Sequence, residues 1–233
     1  MGIFRFFVCL SLLLLSSASF AVDTDNDGIL SLNTNSTCAI DDTGVVCWGS
    51  SHNGILNVPS MSNPSQVSLA YTHACAIDDY GLVCWGGNTH GQTDVPSLTN
   101  PRQVSLGFGY SCAIDDSGVI CWGLNDYGQT DVPSLSSPSQ VSAGGNYACA
   151  LDDMGVICWG DNTHGQSYVP TLSNPKQISA GDGFVCAIDN SDVICWGENG
   201  YGQSNVPTLS NPTQVSSGDV HTCALDDTGV ICW

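Results

Sequence analysis

The sequence predicts an all-β fold, a β-propeller of four-stranded antiparallel blades that repeat every 37 residues. One observation is the period itself. A first cysteine falls at Cys38, Cys75, Cys112, Cys149, Cys186 and Cys223, and a second at Cys47, Cys84, Cys121, Cys158, Cys195 and Cys232. The second observation is that a tryptophan follows every second cysteine, from Trp48 to Trp233, and that these are all the tryptophans in the chain. The third is that glycines and prolines interrupt every stretch in which an apolar helical face could form. An unbroken period of this length means stacked copies of one supersecondary unit.

The chain of 233 residues opens with Arg5, the apolar run Phe6 to Leu15, and small residues leading to Ser19-Phe20-Ala21. This is the pattern of a secretory signal peptide over residues 1–21, with cleavage expected after Ala21. The run is too short to span a bilayer, and no other stretch could span one. Cys9 lies inside it, so twelve of the 13 cysteines remain after cleavage. Export and an even cysteine number both place the chain in an oxidising compartment, secreted, periplasmic or at the cell surface.

Residues 22–28 form an acidic N-terminus. Asp23, Asp25 and Asp27 alternate before Gly28, as in the first half of a calcium loop, so calcium is the one cofactor the sequence suggests. Thr34 stands where a calcium loop supplies its bidentate glutamate, and a plain acidic terminus is the simpler reading.

Residues 29–233 hold five complete copies and a sixth that stops at Trp233. In the fourth copy, Gln140 to Ala143 reads as strand a, Tyr147 to Leu151 as b, Gly155 to Gly160 as c and Gln166 to Val169 as a shorter d. Pro170 to Pro175 connects d to the next a. The turn Asp152-Asp153-Met154-Gly155 suits a four-residue hairpin loop with glycine at positive φ. In the fifth copy Asp192 takes the place of that glycine and is expected to adopt the same conformation. The resulting register sets Cys149 opposite Cys158, Ala150 opposite Ile157 and Leu151 opposite Val156.

A disulfide within each copy is therefore the natural pairing. Bonds between copies, such as Cys47 to Cys75, are the alternative, and the eight intervening residues fit zinc poorly. Trp159 shares a face with Ile157 and Ala150, while the cysteines, Leu151 and Val156 fill the other. Both faces are apolar, so each copy needs neighbours on both sides, which is how propeller blades stack.

The pattern Cys-Ala-[Leu/Ile]-x-x-x-Gly-Val-[Val/Ile]-Cys-Trp-Gly-x-Asn-x-[His/Tyr]-Gly-Gln resembles the regulator-of-chromosome-condensation repeat. The cysteine-bearing form is similar to bacterial exported members, and the short repeat resembles that of β-lactamase inhibitor protein II. Ile55 departs from the pattern where other copies have Gln92, Gln129, Gln166 and Gln203. The resemblance implies a seven-bladed propeller, so the sequence is expected to be an incomplete one.

Comparison of the copies separates two rims. The b–c turns and the d–a connectors, such as Val95 to Pro101 and Val206 to Pro212, hardly change. The a–b and c–d loops do change, and they carry Tyr71, His73, His90, Phe108, Tyr110, Tyr127, Tyr147, His164, Phe184, Tyr201 and His221. Aromatics supply large, rigid contact area, so this variable rim is expected to bind a protein or a glycan. The simpler reading is that the histidine or tyrosine before Gly-Gln packs beneath its own turn. The constant aspartate pairs read as turn formers rather than as a calcium ring.

No nucleophile is paired with a base in a recognisable motif, and no phosphate loop is present, so no enzyme is expected. Of 25 charged residues 22 are acidic, and loss of Arg5 with the leader would leave a net charge of −20. Such a surface repels nucleic acid. The resemblance adds two narrower expectations, inhibition of an extracellular or periplasmic enzyme and guanine-nucleotide exchange. Export and acidity speak against the second.

Overall fold

The computed structural model describes residues 30–32 and 35–233. The signal peptide expected over residues 1–21 and the calcium-loop residues Asp23, Asp25 and Asp27 lie outside the described residues. Each copy folds into one three-stranded antiparallel sheet with strand order a–b–c. In the fourth copy these are Gln140–Ala143, Tyr147–Asp152 and Gly155–Gly160. The six sheets make an incomplete propeller, and each packs on the sheets of the neighbouring copies.

The expected cross-strand register is observed, with Cys149 opposite Cys158 and Leu151 opposite Val156. All six disulfides close within their own copy, between directly opposed residues 4.0 to 4.1 Å apart at Cα. The two faces divide as their alternation requires. Ala148, Ala150 and Trp159 turn back onto Tyr110, Cys112 and Ile114 of the third blade. Tyr147, Cys149 and Leu151 turn forward onto Ile178, Val185 and Trp196 of the fifth.

Three expectations need correction. The segment 166–169 forms no strand. Its first residue is held instead by the next blade, where Trp196 Nε1 donates to the Gln166 carbonyl at 2.9 Å. The chain then turns, with Tyr168 N donating to Gly165 O, before the prolines end any pairing. The hairpin loop is also tighter than expected. Asp152 pairs with Gly155, leaving Asp153 and Met154 at the tip, although Gly155 does take φ +112. Finally, Asp192 is not the left-handed residue of its turn. Asn190 takes that role at φ 57, one position after the paired Asp189, because an asparagine tolerates this conformation where the copy lacks its glycine.

The glutamine that opens each strand a has a job the sequence did not disclose. Gln103 Nε2 donates to Val141 O, and Val141 N donates back to Gln103 Oε1, across consecutive blades. Gln66, Gln140 and Gln177 do the same to Val104, Ile178 and Val215. The inner strand's outward backbone groups are thus satisfied by side-chain amides.

The constant rim of the second to sixth blades is fixed by one aspartate each, buried from the third blade on. Asp115 accepts the Ser117 amide within its own turn and the Thr99 amide of the preceding connector. Asp152 serves Met154 and Ser136, and Asp226 serves Thr228 and Ser210, in the same way. These bonds explain why turn and connector vary together so little.

They also hold the carboxyls below their ordinary value of 3.8, chiefly through the Ser117 hydroxyl for Asp115, the Met154 amide for Asp152 and the Ser210 amide for Asp226. A carboxyl depressed by folding stabilises fully above its unfolded value, and that contribution fades as pH falls through the folded value. The melting temperature is therefore expected to drop below about pH 4. Replacing Asp115, Asp152 and Asp226 by asparagine should flatten that drop, and an identical acid profile for the variant would refute the assignment.

Candidate functional site

The variable rim is built on rigid c–d loops. In those of the second to fifth copies, an asparagine and a glutamine fold the backbone onto themselves. Asn125 Oδ1 accepts the Thr130 amide, and Gln129 Oε1 accepts the Tyr127 amide at 2.9 Å. Gln92, Gln166 and Gln203 grip His90, His164 and Tyr201 in the same way. The glutamines are buried, while the residue each one pins by its backbone keeps an exposed side chain. His90, Tyr127, His164 and Tyr201 are therefore displayed to solvent and not folded under their turns.

The a–b loops add Tyr71 and Phe108, both about half-exposed, with ring centroids 6.4 Å apart and planes inclined at 35°. His221 is also exposed.

His73, Tyr110, Tyr147 and Phe184 are not part of this surface. All four are fully buried, which corrects the expectation that they line the binding rim. They sit two residues before a cysteine, so strand alternation points them onto the same inter-blade face as the sulfur. Tyr110 Oη donates to the carbonyls of Gly144 and Tyr147, and Tyr147 Oη to those of Gly181 and Phe184. His73 Nε2 lies 2.9 Å from Ser111 Oγ. Burial pushes the His73 imidazole down to about 4, so it is neutral at physiological pH.

The structure adds residues that the sequence reading passed over. Tyr168 is exposed beside its loop. Asp182, Glu198 and Asp219 come together near His164 on the same rim. Burial, then the charges of Asp219 and Glu198, hold the Asp182 carboxyl above its ordinary range, with His164 opposing them. The signal was available in the copies, because the position four residues before the first cysteine runs Tyr71, Phe108, Gly145, Asp182, Asp219.

Two grooves of about 290 and 750 Å³ lie on the opposite, constant rim and share Arg102 as a wall. Among the described residues, no group of histidine, cysteine or acidic side chains is arranged to hold a metal ion. No helix among them is long and apolar enough to cross a membrane.

The sequence profile of the regulator of chromosome condensation (RCC1) repeat matches residues 102–129, 139–166 and 176–203. No curated protein matches the chain as a relative. Several solved structures share its fold. The ectodomain of the receptor kinase CR4 from Physcomitrella patens is 22% identical with a TM-score of 0.72, over 88% of this chain and 60% of that one. The chain thus spans less than two thirds of that ectodomain. Prp20p from Saccharomyces cerevisiae is 15% identical with a TM-score of 0.75, over 88% of this chain and 70% of that one. Human WBSCR16 is 17% identical with a TM-score of 0.76, over 92% of this chain and 78% of that one. At these identities the likeness is one of fold. Three tandem stretches of the chain thus match the regulator-of-chromosome-condensation repeat, and its sheets stack as in these propellers.

Proposed function

We propose that the chain is an exported, non-catalytic scaffold that binds a protein partner through its variable rim. One observation carries the reading. Asparagine and glutamine lock the c–d loops of the second to fifth copies into the same frame, and that frame holds out an exposed histidine or tyrosine in alternation. A surface with a fixed backbone and changing aromatic or histidine contacts is suited to recognition. The six disulfides fit an oxidising compartment. Prp20p, which shares the fold, is described by its binding to Gsp1p and histones, so a propeller of this kind can serve as a protein-binding body.

The test compares two variants in crosslinking capture from the exported proteins of the source cells. Tyr71→Ala with Phe108→Ala and Tyr127→Ala should lose the captured partner while melting as the parent does. Tyr80→Ala with Met154→Ala, on exposed turns of the constant rim, should keep it. Equal capture by both variants would overturn the reading. If the partner is an enzyme, titrating it with the chain shows whether binding inhibits it.

A further inference from the structure

The variable rim is not uniform around the arc. At the position four residues before the first cysteine, the second and third blades carry Tyr71 and Phe108, and the fifth and sixth carry Asp182 and Asp219. The residue after each Trp-Gly changes in the same direction, through Gly87, Leu124, Asp161 and Glu198. Two independent loop positions therefore divide the rim into an aromatic sector and a carboxylate sector.

In the aromatic sector the half-exposed rings of Tyr71 and Phe108 face each other, beside Leu124 and the edge of His90. Both Leu124 and His90 lie against the bare backbone of Gly109. In the carboxylate sector Asp182 sits over Gly145, where an added Cβ would come within 2.3 Å of Asp182 Oδ1. Glu198 leans over Gly183, its Oε2 3.1 Å from the place of a Cβ.

Gln166 Nε2 donates to Asp161 Oδ2 at 3.1 Å, whereas the buried Gln129 Nε2 and Gln203 Nε2 have no partner. Glu198 does not take the place of Asp161, and its carboxylate lies between Gly183 and Gly200.

Beside His164, neither the lysine nor the arginine of the described residues is on this rim. Arg102 donates to the Asp115 carbonyl and Lys176 to the Asn190 carbonyl, both on the constant side. Carboxylates gathered without a lysine or arginine nearby are complementary to a cation brought by another molecule. An exposed aromatic pair at the other end of the rim is complementary to an apolar anchor.

We infer that the rim recognises a protein segment that presents lysine or arginine side chains next to an apolar anchor, the anchor seated on Tyr71 and Phe108 and the cations on Asp182, Glu198 and Asp219. This rests on the variable rim being the binding face. The raised Asp182 carboxyl agrees with it, since a docked cation would relieve the charge crowding there.

The experiment uses synthetic peptides as probes. One is half lysine and half leucine and tryptophan, a second has glutamate in place of lysine, and a third is lysine throughout. Affinities are read by fluorescence anisotropy between about 50 and about 300 mM salt. The mixed peptide should bind, and the glutamate peptide should not.

Asp182→Asn with Glu198→Gln and Asp219→Asn should weaken the mixed peptide by about tenfold or more and flatten its salt dependence. Tyr71→Ala with Phe108→Ala should weaken it comparably at both salts and leave the salt dependence in place. Asp182→Asn alone should melt no lower than the parent, so that lost binding is not lost folding.

If the aromatic variant loses the peptide and the carboxylate variant keeps it, the binding rim stands and the cationic partner is refuted. If neither variant loses it, both readings fail. Equal affinity for the all-lysine and mixed peptides would reduce the effect to overall charge and refute the proposal.

Discussion

Replacing Tyr147 by alanine is expected to destabilise the chain by roughly 3–5 kcal/mol, as for a large aromatic removed from a close-packed interior. The ring is fully buried between the fourth and fifth blades, against Ile178, Val185 and Trp196. It lies so close over Gly144 that a Cβ there would meet its Cε1 at 2.3 Å. Its hydroxyl serves the carbonyls of both Gly181 and Phe184, which would lose that donor together. Tyr147→Phe removes only the hydroxyl and should cost about 1 kcal/mol. Urea unfolding followed by tryptophan fluorescence separates the two variants. Alanine at this position with unchanged stability would show that the ring is not the inter-blade plug described above.

The other large effect is expected from the disulfides. Opening Cys149–Cys158 by Cys149→Ala with Cys158→Ala should cost about 2–3 kcal/mol, the chain-entropy value for a ten-residue loop. Six such loops sum to about 12–18 kcal/mol, as large as the roughly 5–15 kcal/mol net stability of an ordinary domain. Full reduction should therefore unfold the chain at temperatures where the oxidised protein is folded, seen as loss of the near-ultraviolet tryptophan signal. A reduced protein with a native near-ultraviolet spectrum would mean that packing alone suffices. The effect should be steep because the first sulfur of each pair is buried against the next blade in most copies, as Cys112 and Cys149 are.

The repeat, strands a to c, their register and the disulfide pairing were legible because each follows from spacing. A turn of fixed length sets which residues are opposed, and opposed cysteines bond. Strand d was not legible. Tyr168 and Val169 have strand-like composition, but Gln166 is drawn inward and its carbonyl is taken by Trp196 of the next copy.

The rim was legible in part. His90, Tyr127, His164 and Tyr201 are displayed as their loop composition suggested. His73, Tyr110, Tyr147 and Phe184 were misplaced by their chemistry, since an aromatic at the end of a variable loop suits a contact surface as well as a core. Their distance of two residues from a cysteine was the stronger signal, because alternation puts them on the sulfur's face. Asp182 and Asp219 stand where earlier copies carry Tyr71 and Phe108, and Glu198 stands at a second loop position, so their charge was masked by the aromatic residues of the same loops.

The glutamine bridges between strands a have a consequence for how the chain reaches its fold. Each reaches only 38 residues ahead, as from Gln103 to Val141, and the tryptophan bonds span 30, as from Trp159 to Gln129. Among the described residues these bonds thus join neighbouring copies. Folding can start at any adjacent pair of blades and spread in both directions, with a short search at each step. Hydrogen exchange should accordingly report a succession of blade-sized openings in place of one global event.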